Sequence, residues 1–180
     1  MITGHRQRLT AEERTEAMEI GRLRQIENQT WQSASADISK PFYTKNGVRI
    51  GGTADHIKGG VAEYGFGLMF GYKHFWQPYN PEAKDVLGYE IRSTFCTTGH
   101  LVTRLKDHNG LYVFCVVDKD YWWIDIYGWR TLKQTKPNLS RVAWDTTIYA
   151  TPQAELWPLE LLPATAELLL HRSTMVSTNE

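Results

Sequence analysis

Cysteine is scarce in this chain, with two among 180 residues. Cys96 and Cys115 both fall in strand-like runs and are too few for a disulfide framework, which points to a reducing compartment. Net charge is absent as well, since 20 Lys and Arg balance 20 Asp and Glu. A protein that grips nucleic acid nonspecifically shows a basic excess, so any such contact here has to be a local patch. No apolar run is long enough to span a membrane. The longest, around Leu156 to Leu170, is broken by Pro158 and Pro163 and carries Glu160 and Glu167. The opening residues MITGHRQRLTAEER contain no apolar stretch of the signal-peptide kind. Also lacking are a P-loop, a Gly-x-Gly-x-x-Gly fingerprint, a His-Glu-x-x-His pair and a Cys-x-x-Cys pair, which removes the nucleotide triphosphatases, dinucleotide oxidoreductases and zinc enzymes that depend on them. The expectation is a cytoplasmic domain over residues 1–172, with no membrane contact and a flexible tail at 173–180.

What is present reads as a mixed α/β chain. Thr10 and Glu13 form a capping box with Leu9 as the staple residue before it, and Ala17, Ile20, Leu23 and Ile26 follow at helical spacing. This predicts a helix over 9–28. Residues 30–52 read as a long loop with a short β-ribbon near Gly47 to Ile50. Asp55 is a candidate N-cap for a second helix over 56–71, whose apolar stripe is Ile57, Val61, Tyr64 and Leu68. That helix holds Gly59, Gly60, Gly65, Gly67 and Gly71, at roughly 1 kcal/mol each relative to alanine. Such a cost makes sense where the helix must approach a sheet or a ligand closely.

Beyond the loop WQPYNPEAK, strand-like runs cover 86–95, 101–105, 111–117 and 122–129. Asn109-Gly110 supplies a hairpin signal between the second and third. A helical turn at 131–136 and a short strand at 148–151 complete the order. Helices followed by a strand meander suit an α+β mixed sheet flanked by helices.

The segment Asp85-Val-Leu-Gly-Tyr-Glu90-Ile-Arg92 concentrates the chemistry. Alternation along a strand sends Glu90 and Arg92 to one face and Ile91 to the core. A turn around Gly88 can bring Asp85 beside Glu90. Paired carboxylates with a nearby carbonyl, here that of Ile91, form an oxygen-rich set suited to Mg²⁺ or Mn²⁺. A cation two residues along can neutralise charge developing on a phosphate. A surface ion pair explains the acid-x-base spacing equally well. Glu63 lies in a glycine-bordered stretch of the second helix, off its main apolar stripe.

Three stretches carry a resemblance in their order and spacing. They are His56-Ile-Lys-Gly-Gly-Val-Ala-Glu63-Tyr-Gly-Phe-Gly, then Asp85 through Thr94, then Gly99-His-Leu-Val-Thr-Arg104-Leu-Lys-Asp107. Ile126-Tyr-Gly-Trp129 and Thr151-Pro-Gln153-Ala-Glu-Leu156-Trp-Pro158-Leu continue the pattern. Over about residues 10 to 160, the chain resembles bacteriophage-encoded proteins of the PD-(D/E)XK nuclease type. The resemblance implies a restriction-endonuclease-like core, a helix followed by a β-meander. It also implies metal-dependent hydrolysis of DNA, or of RNA, with Mg²⁺ or Mn²⁺ as cofactor.

In that pattern Glu63 matches the helix acid, Asp85 the metal-binding aspartate and Glu90 the acid of the D/E-x-K triplet. Glu63, Asp85, Glu90 and Arg92 are then the catalytic candidates, and Glu63, Asp85, Glu90 and Ile91 the metal ligands. Arg92 stands where the superfamily has lysine. Arginine is a rigid, permanently charged fork and a poor proton shuttle. Gln153, His100, Arg104 and Lys133 are the nucleic-acid-binding candidates, with Lys106, Arg130 and Lys136 as further members of a basic face. The alternative is an inactive protein on the same scaffold that binds DNA, or a host or phage protein, in the cytoplasm of a host cell.

Overall fold

The computed structural model describes residues 4–32, 42–43, 49–50, 53–73, 85–104, 107–135 and 148–177. Lys84, Lys106, Lys136 and the loop WQPYNPEAK up to Lys84 lie outside the described residues. In chain order the elements are β1 (His5–Arg8), α1 (Ala11–Gln32), β2 (Phe42–Tyr43), β3 (Arg49–Ile50), α2 (Thr53–Leu68), β4 (Glu90–Thr94), β5 (Leu101–Arg104), β6 (Leu111–Val117), β7 (Trp123–Thr131), α3 (Leu132–Thr135), β8 (Ile148–Thr151) and α4 (Ala166–Ser177). It is a mixed α/β arrangement with a mixed sheet and flanking helices. Among the described residues no helix is long and apolar enough to cross a membrane.

The capping box predicted for α1 forms. The Thr10 N–H donates to Glu13 Oε2 at 2.7 Å and the Glu13 N–H to Thr10 Oγ1 at 3.2 Å, with Leu9 buried beside them. The helix then continues to Gln32, beyond its expected end. α2 starts at Thr53, so Asp55 sits in its first turn, where it pairs with Lys58 at 2.7 Å. The short ribbon is present as β2 paired with β3. At the far end α4 runs through Ser177, past Arg172, where the tail was expected to begin.

Gly60 of α2 is explained by backbone approach. A Cβ on Gly60 would lie 2.7 Å from the Gly21 nitrogen and 2.8 Å from the Ala17 oxygen. One on Gly21 would lie 2.3 Å from Ile57 Cα. α1 and α2 therefore cross backbone against backbone, and on another side Gly65 lets α2 settle onto Ile124 of β7.

The main sheet has the order β1-β7-β6-β4. β6 pairs antiparallel with β7 and parallel with β4, and β1 forms an edge that no sequence signal announced. The four strand-like runs do form strands, but they are not a meander. β5 leaves the sheet and pairs with β8, so Asn109-Gly110 turns the chain between two strands that do not pair with each other. The reason lies in β6. Leu111 to Val117 is apolar at every position, and a strand of that kind is stable only with both faces covered.

Val113, Cys115 and Val117 of β6 join a core shared with α1 and α2, including Ala17, Ile20, Val61 and Tyr64. Tyr112, Phe114 and Val116 join a second core with Leu101 of β5, Leu132 of α3 and Leu156. The helical pair thus covers one face of the sheet, and β5, β8 and α3 cover the other. Burying β6 between two partners needs a crossover that the sequence reading lacked. β4, meanwhile, stands at the sheet's open edge.

The expected strand over 86–95 begins only at Glu90. Residues 86–89 form a tight hairpin turn in which Val86 and Tyr89 bond each other through both backbone groups, at 3.2 and 2.9 Å. Leu87 (φ 50°) and Gly88 (φ 83°) both take left-handed backbone, the requirement of a type I′ turn. The segment after Pro163 closes over this turn: Tyr89 Oη donates to the Pro163 carbonyl at 2.7 Å and the Thr165 hydroxyl to that of Leu87.

Candidate metal centre and adjoining cleft

One turn beyond the Gly21–Gly60 crossing, Arg24 of α1 meets Glu63 of α2. The guanidinium donates through Nη1 and Nη2 to both carboxylate oxygens. Glu63 is only 2% exposed. Its pKa is raised from the ordinary 4.5 to about 8, first by burial and then by the negative charge of Asp85, with Glu90 adding to the push and Arg24 opposing it. Arg24 donates to both oxygens and opposes that rise without cancelling it. Burial first, and then the Glu63 charge, raise the Cys115 thiol behind it. His56, two turns earlier on α2, is lowered by burial and by Arg24.

Asp85 ends the chain's approach to the tight turn, and its Oδ2 accepts the Ile91 N–H at 2.8 Å. The turn folds the chain back so that an acid five positions before Glu90 stands beside the start of β4. Ile91 packs into the helix-side core. By alternation Glu90 and Arg92 face the other side, and the 3.9 Å separation of Arg92 Nη2 from Glu90 Oε2 agrees. Arg92 Nη2 also reaches Asp107 Oδ2 at 3.2 Å, and its guanidinium lies over the Tyr112 ring. Burial works against the Arg92 charge, but Asp107, Asp85 and Glu90 outweigh it and raise its pKa above the ordinary arginine value.

Glu63, Asp85 and Glu90 therefore share one electrostatic neighbourhood at the sheet's edge, but from two sides of β4. Glu63 arrives from the helix face and Glu90 lies on the opposite face. In this arrangement, among the described residues, no group of three or more His, Cys, Asp or Glu side chains could hold a metal ion. The donor chemistry itself suits a hard divalent cation, because Asp85 and Glu90 offer only oxygen. Glu63 could add its oxygens only by exchanging Arg24 for the metal.

On the Glu90 face a cavity of about 700 Å³ opens between β4, the 95–100 loop and β5. Arg92, His100 and Arg104 line it together with apolar Val102, Phe114 and Ala150. Asp107 ties its end, accepting the Arg104 N–H at 2.9 Å as well as the Arg92 side chain. Gln153 donates through Nε2 to the carbonyls of Thr97 (2.8 Å) and Gly99 (3.1 Å), fastening the loop that forms one wall.

His100 and Arg104 line the same cavity as Arg92. Gln153 holds the wall of the cavity, and Lys133 is exposed on α3 and is not among the lining residues. Arg130 is half-buried on β7 with its guanidinium over Trp157. Trp122 and Trp123 pack under Arg14 and Arg6, at 4.7 and 5.3 Å.

Two functional-looking residues escaped the sequence reading. Asp107 closes the stretch Gly99 to Asp107, where the sequence assigns it no role, and Arg24 stands among the charged positions of α1. Their roles depend on contacts 15 and 39 positions away, and no local pattern announces those.

No family model, curated protein or solved structure matches this chain.

Proposed function

We propose that this chain is a metal-dependent phosphodiesterase acting on DNA, built on a PD-(D/E)XK-like scaffold and working in a cytoplasm. The observation that carries this reading is the charge coupling of Glu63, Asp85 and Glu90 at the edge of a cleft lined by Arg92. Asp85 and Glu90 would hold Mg²⁺ or Mn²⁺ with the Ile91 carbonyl, and Glu63 would support them. When bound, such a metal supplies a polarised phosphate and a water acidic enough to act as nucleophile.

The chain's own residues do the rest. The tight turn at Leu87-Gly88 and the Ile91 N–H orient Asp85. Asp107 and Tyr112 hold Arg92 at the boundary between the acids and the cleft. There a fixed guanidinium can meet two phosphate oxygens at once.

The test is cleavage of plasmid, single-stranded DNA and RNA with Mg²⁺ or Mn²⁺, comparing wild type with Asp85→Ala and Glu90→Ala. Metal-dependent cleavage lost in both variants supports the reading. Cleavage of no substrate with either metal overturns it.

A second reading is a protein of the same scaffold that binds DNA or a host protein without cutting. The Arg24 hold on Glu63 favours it, because both oxygens of that acid are already engaged. Calorimetry showing no Mn²⁺ binding would select it over hydrolysis.

A further inference from the structure

The cleft is larger than a phosphate requires. Its volume of about 700 Å³ lies within the usual span of small-molecule pockets, about 300–1,000 Å³. Its lining is divided by chemistry. Arg92, His100 and Arg104 supply donors suited to a phosphate, with the Asp107 carboxylate beside them on Arg92, while Val102, the almost wholly buried Phe114 and Ala150 form an apolar floor suited to a planar base. The walls are preformed: Gln153 pins the 97–99 loop, and Gly99 packs so closely that a Cβ there would come within 2.6 Å of Thr94 Cγ2 and 3.4 Å of Phe114 Cζ.

We infer that this cleft is a subsite for single-stranded polynucleotide, taking one or two nucleotides with a phosphate against Arg92 and Arg104 and a base on the floor formed by Val102, Phe114 and Ala150. A base can enter only if it is not stacked and paired in a helix, so the cleft selects strands that are already open. Groove-tracking cations with an apolar stacking surface are the general means of holding single strands without reading sequence. The inference deepens the proposed function and rests on it for the acids beyond Arg92. Binding itself needs neither metal nor hydrolysis.

The experiment is fluorescence anisotropy of a labelled oligothymidylate in EDTA, run beside the same strand annealed to its complement and beside oligouridylate. The single strand is expected to bind at least tenfold tighter than the duplex, and the uridylate arm separates DNA from RNA as the source of the same chemistry. Arg104→Ala removes one phosphate contact and should reduce the slope of log affinity against log salt by about 0.7. Ala150→Leu fills the floor without adding an aromatic face on which a base could stack and should weaken binding about 5-fold or more, and a thermal melt like that of wild type certifies each variant's fold.

Equal affinity for strand and duplex, or unchanged binding in folded Arg104→Ala and Ala150→Leu variants, overturns the inference. Single-strand binding without cleavage under any metal would overturn the hydrolytic reading and leave this one standing. Duplex cleavage with no single-strand preference would do the reverse.

Discussion

Arg24 clasps both carboxylate oxygens of Glu63 across a sequence separation of 39 residues, at the point where α1 and α2 touch through glycine. The ion pair and the helix crossing are one device. Gly21 and Gly60 bring the backbones together, and one turn later the two long side chains can meet inside the molecule.

Gly21→Ala should separate the helices, since the added methyl would lie 2.3 Å from Ile57 Cα and 2.6 Å from the His56 oxygen, both backbone atoms. The expected loss is roughly 3 kcal/mol, the upper end of overpacking costs. Urea denaturation measures it, and a loss below ~0.5 kcal/mol would mean the helices do not cross this closely.

The buried acid makes stability depend on pH. The pKa of Glu63 is raised in the fold from 4.5 to about 8, so the native state binds its proton more tightly than the unfolded chain. Its contribution is fully present below pH 4.5 and is lost as pH rises toward 8, by at most about 1.4 kcal/mol per pH unit. Glu63→Gln should flatten this part of the stability profile in denaturant titrations with EDTA. Parallel profiles for wild type and variant would show that Glu63 is not held above its ordinary range.

Adding Mn²⁺ should raise the melting temperature of the wild type. At a hundredfold excess over its dissociation constant, one bound ion stabilises by about 2.7 kcal/mol. Asp85→Ala and Glu90→Ala should each lose the shift, as read by differential scanning fluorimetry against EDTA controls. A shift that survives both substitutions would locate the metal elsewhere.

Arg92→Lys probes the departure from the superfamily's lysine. The three carboxylates that face Arg92 hold its charge through the whole working range of pH, so the wild-type rate should show no alkaline fall arising from this group. A lysine there can lose its proton, so the variant's rate profile should gain an alkaline limb. Superimposable profiles would remove Arg92 from the charge-neutralising role.

Gln153→Ala removes both side-chain bonds to the 97–99 loop, each worth about 1 kcal/mol net. Hydrogen exchange should quicken at the amides of residues 96–100, and the melting temperature should fall only slightly. A global loss with no local change would assign Gln153 to the core instead.

Much of the local structure was legible in the sequence because its causes are local. Thr10 and Glu13 announce the start of α1, and the Ile57, Val61 and Tyr64 stripe marks the buried face of α2. A turn near Gly88 was legible as well, and the Leu87-Gly88 turn is what sets Asp85 beside the start of β4. β1 was not legible, since His5 to Arg8 is polar and is a strand only because β7 offers an edge.

Sequence alone determined which side chains could carry chemistry and, through the two-residue period of a strand, that Glu90 and Arg92 share a face. Tertiary structure decided the rest: that β6 is enclosed and parallel to β4, that Arg24 engages Glu63, and that Glu63 and Glu90 approach β4 from opposite sides beside a cleft. The physical reason is separation. Capping and alternation act within a few residues, whereas charge coupling and cleft shape arise between segments that only the packing of the two cores brings together.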